Sequence, residues 1–176
     1  MCNIGAQTVL LNECKWQWLE QVVGCLGQYY SALVFAGGMG PFEPSERMTQ
    51  VSKPTAFFKV VHLPDQPALG DYSGVNRTFV WIMSNDEEGA YKGSSYQGKL
   101  NMTQIEKHTD LHFTALRDST FPEDCSLLTK LLSEDRLEKC KIKDSHTSFE
   151  AGPWYLLQMC AGNTDLTPPK CPNFDR

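Results

Sequence analysis

Apolar residues at helical spacing predict a helix near each end of the chain. The first covers residues 13–26 and ends near Gly24 or Gly27, with one apolar stripe: Trp16, Leu19, Val22, Val23 and Leu26. The second covers about 123–139, after Pro122 and two acidic residues, and carries the repeat Leu127, Leu128, Leu131 and Leu132. Each helix has one apolar side, which needs a core to pack against.

Between these helices the pattern is typical of antiparallel strands. Runs rich in β-branched and aromatic residues predict strands at 28–36, 55–63 and 77–83, with a glycine-rich hairpin loop at 37–41 after the first. Shorter candidates follow, at 90–92, 96–103, 110–116 and 153–159. The order of elements predicts a mostly β domain built as an antiparallel meander.

The predicted strands carry large apolar residues on both faces. An antiparallel strand with one face in water should alternate instead. Two architectures satisfy the pattern: a sandwich whose outer faces are covered by the two helices, and a barrel that encloses a cavity and is covered outside by a helix.

Composition and charge narrow the class of partner. The chain has 176 residues, 16 Lys and Arg against 21 Asp and Glu, and a formal net charge of −5. One globular domain over 1–176 fits this length. Since no basic block occurs, nucleic acid is predicted not to be a partner, and since no apolar run reaches eighteen residues, no membrane span is predicted.

Seven widely spaced cysteines and two sequons favour secretion, although no signal peptide is evident at the start. The sequons predict glycosylation at Asn76 and Asn101. Because seven is odd, one thiol is free or joins a disulfide-linked partner chain.

No set of residues predicts catalysis, a metal site or a cofactor. His108 and His112 have ligand-like spacing, with His62 as a third candidate, but their segment alternates as a strand, which places positions four apart roughly 13 Å from each other. The turn 70–74 is not a nucleophile elbow, since no helix pattern follows its serine. The chain is therefore predicted not to be an enzyme.

Several segments, in chain order, resemble the α1-acid glycoprotein and apolipoprotein M branch of the lipocalins. Gly27-Gln28-Tyr29-Tyr30 resembles the family's G-x-W entry motif, with Tyr29 in the place of Trp. The segments 55–60, 76–82 and 112–118 resemble three of its strands, and 127–140 resembles its outer helix. The chain departs from the family where two strands before that helix are missing.

This resemblance implies an up-and-down lipocalin-like β-barrel, closed or short of two strands, over 27–140, with a segment 1–26 before it and a cysteine-containing tail, 141–176, after it. The implied function is extracellular transport of a small hydrophobic ligand, unless the same side chains fill a solid core. Seven residues are implied as the ligand-binding set: Leu33, Phe35, Phe58, Val60, Val80, Ile82 and Phe113. The alternative is a secreted module that binds a protein partner through its loops and tail, without a cavity.

Overall fold

The computed structural model describes residues 6–9, 11–44, 52–64, 77–86, 94–96, 98–116, 119–122, 125–140, 153 and 156–157. A π-helical segment, Leu11–Trp16, runs directly into helix α1, Gln17–Tyr29. Four strands follow: β1 (Leu33–Pro44), β2 (Ser52–Leu63), β3 (Arg77–Ser84) and β4 (Ser94–Tyr96). The remaining elements are α2 (Lys99–Thr109), a 3₁₀ turn (Thr114–Leu116), α3 (Ser126–Leu131) and α4 (Glu134–Lys139).

The four strands form one antiparallel sheet in the order β1-β2-β3-β4. Its register is fixed at the centre by Phe35 opposite Val60 and Val60 opposite Val80. Because β1 and β4 lie at opposite edges, the sheet formed by the described residues is open and no barrel closes. The lipocalin-type, mostly β barrel is therefore wrong, and the fold is a mixture of helices and sheet.

Helices cover both faces of this sheet, which explains why its strands are apolar on both sides. One face carries Val61, Phe79 and Met83 and packs with α1, the π-helical segment, α3 and α4 in the larger buried cluster. The other face carries Val60 and Val80 and packs with α2 in a smaller cluster. The apolar residues on both faces of the strands therefore reflect burial under helices and not the lining of a barrel cavity.

Helix α1 confirms the predicted N-terminal helix but is longer. Its buried residues, spaced three and four apart, pack onto the sheet: Trp18, Leu19, Val22, Cys25 and Leu26. Gly24 and Gly27 do not end it, since the helix runs through both to Tyr29. A disulfide joins Cys25 of this helix to Cys140, just after α4. Cys14 and Cys125 are also disulfide-bonded.

The glycine-rich segment 37–41 is part of β1 and is not a loop. Gly37 lies opposite Phe58, and a Cβ there would meet two atoms of the Phe58 ring at 3.0 and 3.1 Å. At Gly40, φ is +87° and the pairing with β2 shifts between Met39 and Phe42. Gly37 leaves room for the ring of Phe58 on β2. Gly40 adopts the positive φ where the pairing of β1 with β2 shifts.

Four further predictions of secondary structure are corrected by the structure. The segments 96–103 and 110–116 are mostly helix α2 and the 3₁₀ turn, because Met102 and Ile105 are spaced for one helix face and pack against the sheet. The helix at 123–139 is two short helices separated at Leu132 and Ser133. In the segment 153–159, the described residues 153, 156 and 157 are helical, not extended. The candidate strand at 90–92 lies outside the described residues.

Candidate functional site around Glu20 and Lys59

Six of the seven residues predicted to bind ligand share one face of the sheet, as expected from strand alternation. This face is not a barrel lining. Phe58, Val60 and Val80 are at most 2% exposed and pack with Met102 and Ile105 of α2, with Ile82 beside them. Leu33 and Phe35 lie on the edge strand β1 and are exposed. Phe113, the seventh residue, contacts the Phe35 ring edge-on.

The other predicted positions do not come together into a site. Asn101 is 1% exposed and its amide donates to the Val80 carbonyl oxygen at 3.5 Å, while Asn76 lies outside the described residues. His108 is on α2, but that helix ends at Asp110 (φ 54°), before His112. Among the described residues, no group of three or more His, Cys, Asp or Glu side chains could hold a metal ion. The same residues include no helix long and apolar enough to cross a bilayer.

A separate cluster, formed by Trp16, Glu20 and Lys59, lies between α1 and β2. Lys59 Nζ lies 3.5 Å from Glu20 Oε1, and Trp16 Nε1 donates to the same oxygen at 3.1 Å. The ammonium also lies 4.3 Å from the centroid of the Trp16 ring, within cation–π distance. Two residues on different elements, Trp16 and Lys59, therefore fix one carboxylate oxygen of Glu20.

The exposure of this pair is asymmetric. The Lys59 side chain is 5% exposed, whereas the Glu20 side chain is 57% exposed. Within the described residues, Trp16 and Lys59 both contact Oε1. The carboxylate is thus held from below and presented outward.

Burial sets the protonation behaviour of the two nearby lysines. Desolvation lowers the pKa of Lys59, and the charge and hydrogen bond of Glu20 oppose that shift. Desolvation also lowers the pKa of Lys15 to about 8. Burying the ammonium group of Lys59 is costly, and the carboxylate of Glu20 compensates its charge.

The helix extends the cluster toward the N-terminus. Asn12, Trp16 and Glu20 are spaced four residues apart, which places them along one side of the continuous helix. Asn12 is exposed and lies in the π-helical segment, a rare conformation that is often found at functional sites. Asn12 and Glu20 are therefore exposed at the two ends of a strip that we call the Asn12–Glu20 strip, and Trp16 between them is buried.

These side chains supply the oxygen donors that a hard cation prefers. Mg²⁺ usually keeps several waters and binds protein through one or two side chains together with substrate phosphates. The Glu20 carboxylate fits that mode of binding, which requires no closed cage of protein ligands, whereas Asn12 lies eight residues, about 12 Å, further along the helix and does not share a cation with it. The strip could therefore act on a phosphate-containing substrate.

Comparison with known families agrees with this chemistry. A sequence profile of the DNA/RNA non-specific endonuclease family matches residues 1–119, more than half of the chain and the part that carries the strip and the sheet. The chain therefore belongs to the DNA/RNA non-specific endonuclease family. No curated protein matches it in a direct sequence comparison.

Membership of this family corrects several predictions. The lipocalin resemblance is wrong, as are transport of a small hydrophobic ligand and the alternative of a protein-binding module. The exclusion of enzymes and of nucleic acid is also wrong, because a net charge counts the whole chain and does not test a local site. Sequence reasoning missed Glu20 and Lys59, since only folding pairs residues 39 positions apart. The spacing of Asn12, Trp16 and Glu20 was a signal that could have been found.

Proposed function

We propose that this protein hydrolyses phosphodiester bonds in DNA and RNA at the Asn12–Glu20 strip. The observation that carries the proposal is the Glu20 carboxylate, which is fixed by Trp16 and Lys59 through one oxygen and yet remains 57% exposed. The family's description as a non-specific endonuclease supplies the class of substrate. A preorganised polar group at the surface is what a polymer substrate requires, because the chain of phosphates must reach it without entering a cavity.

The reaction assigned to the strip is attack of water on the phosphorus atom. The oxygen of water bonds to phosphorus, the bond from phosphorus to the leaving oxygen breaks, and the proton of water passes to Glu20 or to solvent. Lys59 holds the Glu20 carboxylate in place through the ion pair. When bound, a divalent cation would neutralise charge on the phosphate and lower the pKa of the attacking water. Glu20 is the residue that would hold it, together with the phosphate of the substrate.

The acidic balance of the chain supports the participation of a cation. A protein with a net charge of −5 repels a polyanion at long range, and Lys59, the lysine that contacts Glu20, is buried. A bound divalent cation would supply the positive charge that the surface lacks. Substrate binding is therefore expected to require the cation as well as the chemical step.

The direct test compares Glu20→Gln with Glu138→Gln, an identical change at an exposed position of α4. Cleavage of plasmid DNA and of a defined RNA is followed with and without Mg²⁺. Glu20→Gln should lower the rate roughly 100- to 10,000-fold, as expected for loss of a group that handles a proton in the transition state. Glu138→Gln should behave as the wild type, and EDTA should abolish cleavage by every variant.

Two outcomes contradict the proposal. One is a wild-type protein that cleaves neither nucleic acid in Mg²⁺, and the other is Glu20→Gln cleaving at the wild-type rate. Circular dichroism of both variants shows whether a lost activity reflects a lost fold.

We further propose that the protein works in an oxidising compartment, as the sequence predicts from its cysteines. The disulfide between Cys25 and Cys140, and those at Cys14 and Cys125, support this location. The three other cysteines lie outside the described residues, so a disulfide-linked partner stays a prediction.

A further inference from the structure

Residues 119–122, between the 3₁₀ turn and α3, lie against the start of β3. The backbone N–H of Thr78 donates to the Thr120 carbonyl oxygen at 3.0 Å, and Thr120 forms an isolated parallel bridge with Arg77. Strand β4 pairs with the other end of β3, at residues 81–83. Residues 119–122 therefore cover a part of the β3 edge that β4 leaves open, and we call them the strap.

A buried histidine of the sheet contacts the strap. His62 of β2 lies directly opposite Thr78 and is 6% exposed. Its Nδ1 lies 3.0 Å from the hydroxyl oxygen of Thr78 and 3.3 Å from the hydroxyl oxygen of Ser119, both within hydrogen-bond distance. One ring nitrogen thus connects two strands of the sheet to the strap.

The chain on each side of the strap is anchored independently of His62. Leu116, before it, is buried in the smaller cluster, and Cys125, after it, is buried and disulfide-bonded. Phe121 of the strap itself packs against the smaller cluster but is only partly buried. The strap can therefore leave β3 while the elements before and after it stay folded.

The sheet and the strap bring no counter-charge to the His62 ring. Residues 119–122 are uncharged, and Leu33 is the residue opposite His62 on β1. Lys59 and Arg77, the nearest charged residues along β2 and β3, lie on the other face of the sheet by strand alternation. A proton on the ring would thus place a charge among hydroxyl and apolar groups.

Helix α2 packs over the same face of the sheet, and its charged groups are directed elsewhere. Glu106 Oε1 accepts from the backbone N–H of Phe113 at 2.9 Å. The other titratable side chains between α2 and the 3₁₀ turn are exposed: Lys99, Lys107, His108, Asp110 and His112. Desolvation accordingly lowers the pKa of His62 below its ordinary value of 6.5.

We propose that His62 and the strap form an acid-sensitive latch: the neutral ring holds residues 119–122 on β3, and protonation of the ring releases them. Release lets water solvate the imidazolium, so the open form binds the proton more tightly than the closed form. The latch is therefore fully stable above about pH 6.5 and loses stability as the pH falls below that value. The proposal does not depend on nuclease activity.

Hydrogen exchange measures the opening directly. The Thr78 amide reports on the strap, because its acceptor is the Thr120 carbonyl, whereas the Val61 amide lies in a strand paired on both sides and reports on the sheet. Protection, relative to an unstructured peptide at the same pH, is measured from pH 7 to pH 5. The proteins are the wild type, His62→Gln, which cannot titrate, and His108→Gln, the same change at an exposed histidine.

In the wild type, protection of Thr78 should fall about 10-fold for each unit by which the pKa of His62 differs between the closed and open forms, with Val61 unchanged. His62→Gln should abolish this fall, and His108→Gln should retain it. An equal fall in His62→Gln and the wild type would overturn the latch. Parallel losses at Thr78 and Val61 would overturn it too, since acid would then unfold the whole sheet.

A second pair of variants applies if His62→Gln does not fold. Ser119→Ala removes the hydroxyl that contacts the ring, and Thr120→Ala removes an exposed hydroxyl beside it. Ser119→Ala should lower protection of Thr78 about 3-fold or more at pH 7, and Thr120→Ala should match the wild type. Equal protection in these two variants would overturn the latch, as would a pKa of His62 at or above its ordinary value in an NMR titration of the wild type.

Discussion

Lys59 and Glu20 form an ion pair whose two members differ sharply in exposure, 5% against 57%. The two halves of this pair should therefore respond differently to mutation. Removing Lys59 leaves a carboxylate that water can solvate, whereas removing the charge of Glu20 leaves a buried ammonium with no counter-charge in the pair. Stability and activity can be separated experimentally at this site.

Lys59→Met is expected to lower nuclease activity without lowering stability. The methionine side chain can fill the space of the lysine alkyl chain under Trp16, and replacement of a buried charge by an apolar group is often neutral or stabilising. Loss of the tether on Glu20 should reduce kcat by about 10-fold or more. The check is a thermal melt beside a cleavage assay, with Lys53→Met of the same strand as control. A melting temperature for Lys59→Met below that of Glu20→Gln would contradict this ordering.

Lys15 should make the protein more stable as the solution becomes alkaline. Its pKa in the folded state is about 8, below the ordinary 10.5, so between these values the unfolded chain binds more protons than the folded one. The free energy of unfolding should accordingly rise from about pH 8 to 10.5. In Lys15→Met this rise should be smaller. Urea denaturation at pH 7, 9 and 10 measures the difference, and parallel curves for the two proteins would refute the assignment.

Gly40 and Gly24 should respond to alanine in opposite directions. At Gly40, φ is +87° and an added Cβ would collide with the Thr55 hydroxyl, so Gly40→Ala should cost about 1–3 kcal/mol or more. At Gly24, an exposed position inside α1, nothing lies within 4 Å of an added Cβ, and alanine should stabilise by roughly 0.5–1 kcal/mol. Chemical denaturation of the two variants tests both signs, and a stabilised Gly40→Ala would show that β1 is not bulged there.

Tyr30, and not Tyr29, should be the more damaging tyrosine to truncate. Tyr30 packs against the larger cluster, its hydroxyl donates to the Leu131 carbonyl at 3.4 Å, and Arg136 donates to that hydroxyl. Tyr29 is 39% exposed. We expect Tyr30→Ala to cost about 2 kcal/mol and Tyr29→Ala about half of that or less. The reverse order in denaturant melts would contradict this assignment.

Local pattern determined several elements of this fold correctly. The stripe from Trp16 to Leu26 predicted α1, and the cores of β2 and β3 were predicted within a few residues of their bounds. Strand alternation also assigned Val60 and Val80 to a shared face, which the register confirms. These features depend on neighbours along the chain, so the sequence carries them directly.

What covered the sheet could only be decided by tertiary structure. Apolar residues on both faces of a strand state that both faces are buried, but they do not say whether a helix or another strand lies above. Segment 96–103 was predicted as a strand, whereas packing of Met102 and Ile105 against β2 and β3 makes residues 99–109 helix α2. The lipocalin resemblance rested on the order of such ambiguous elements, so it failed together with the barrel.

The same distinction between local sequence pattern and tertiary structure applies to the candidate site. The sequence predicted a helix over 13–26 that carries Trp16 and Glu20, but it did not predict that the helical conformation extends back through Asn12. Only the tertiary structure brought Lys59 under Glu20 and Asn85 to Thr8, since contacts across 39 and 77 residues exist only when the strands have paired and α1 has packed on them. The physical reason is that a helical repeat acts within a few residues, whereas ion pairs and buried amides take their partners from wherever the core places them.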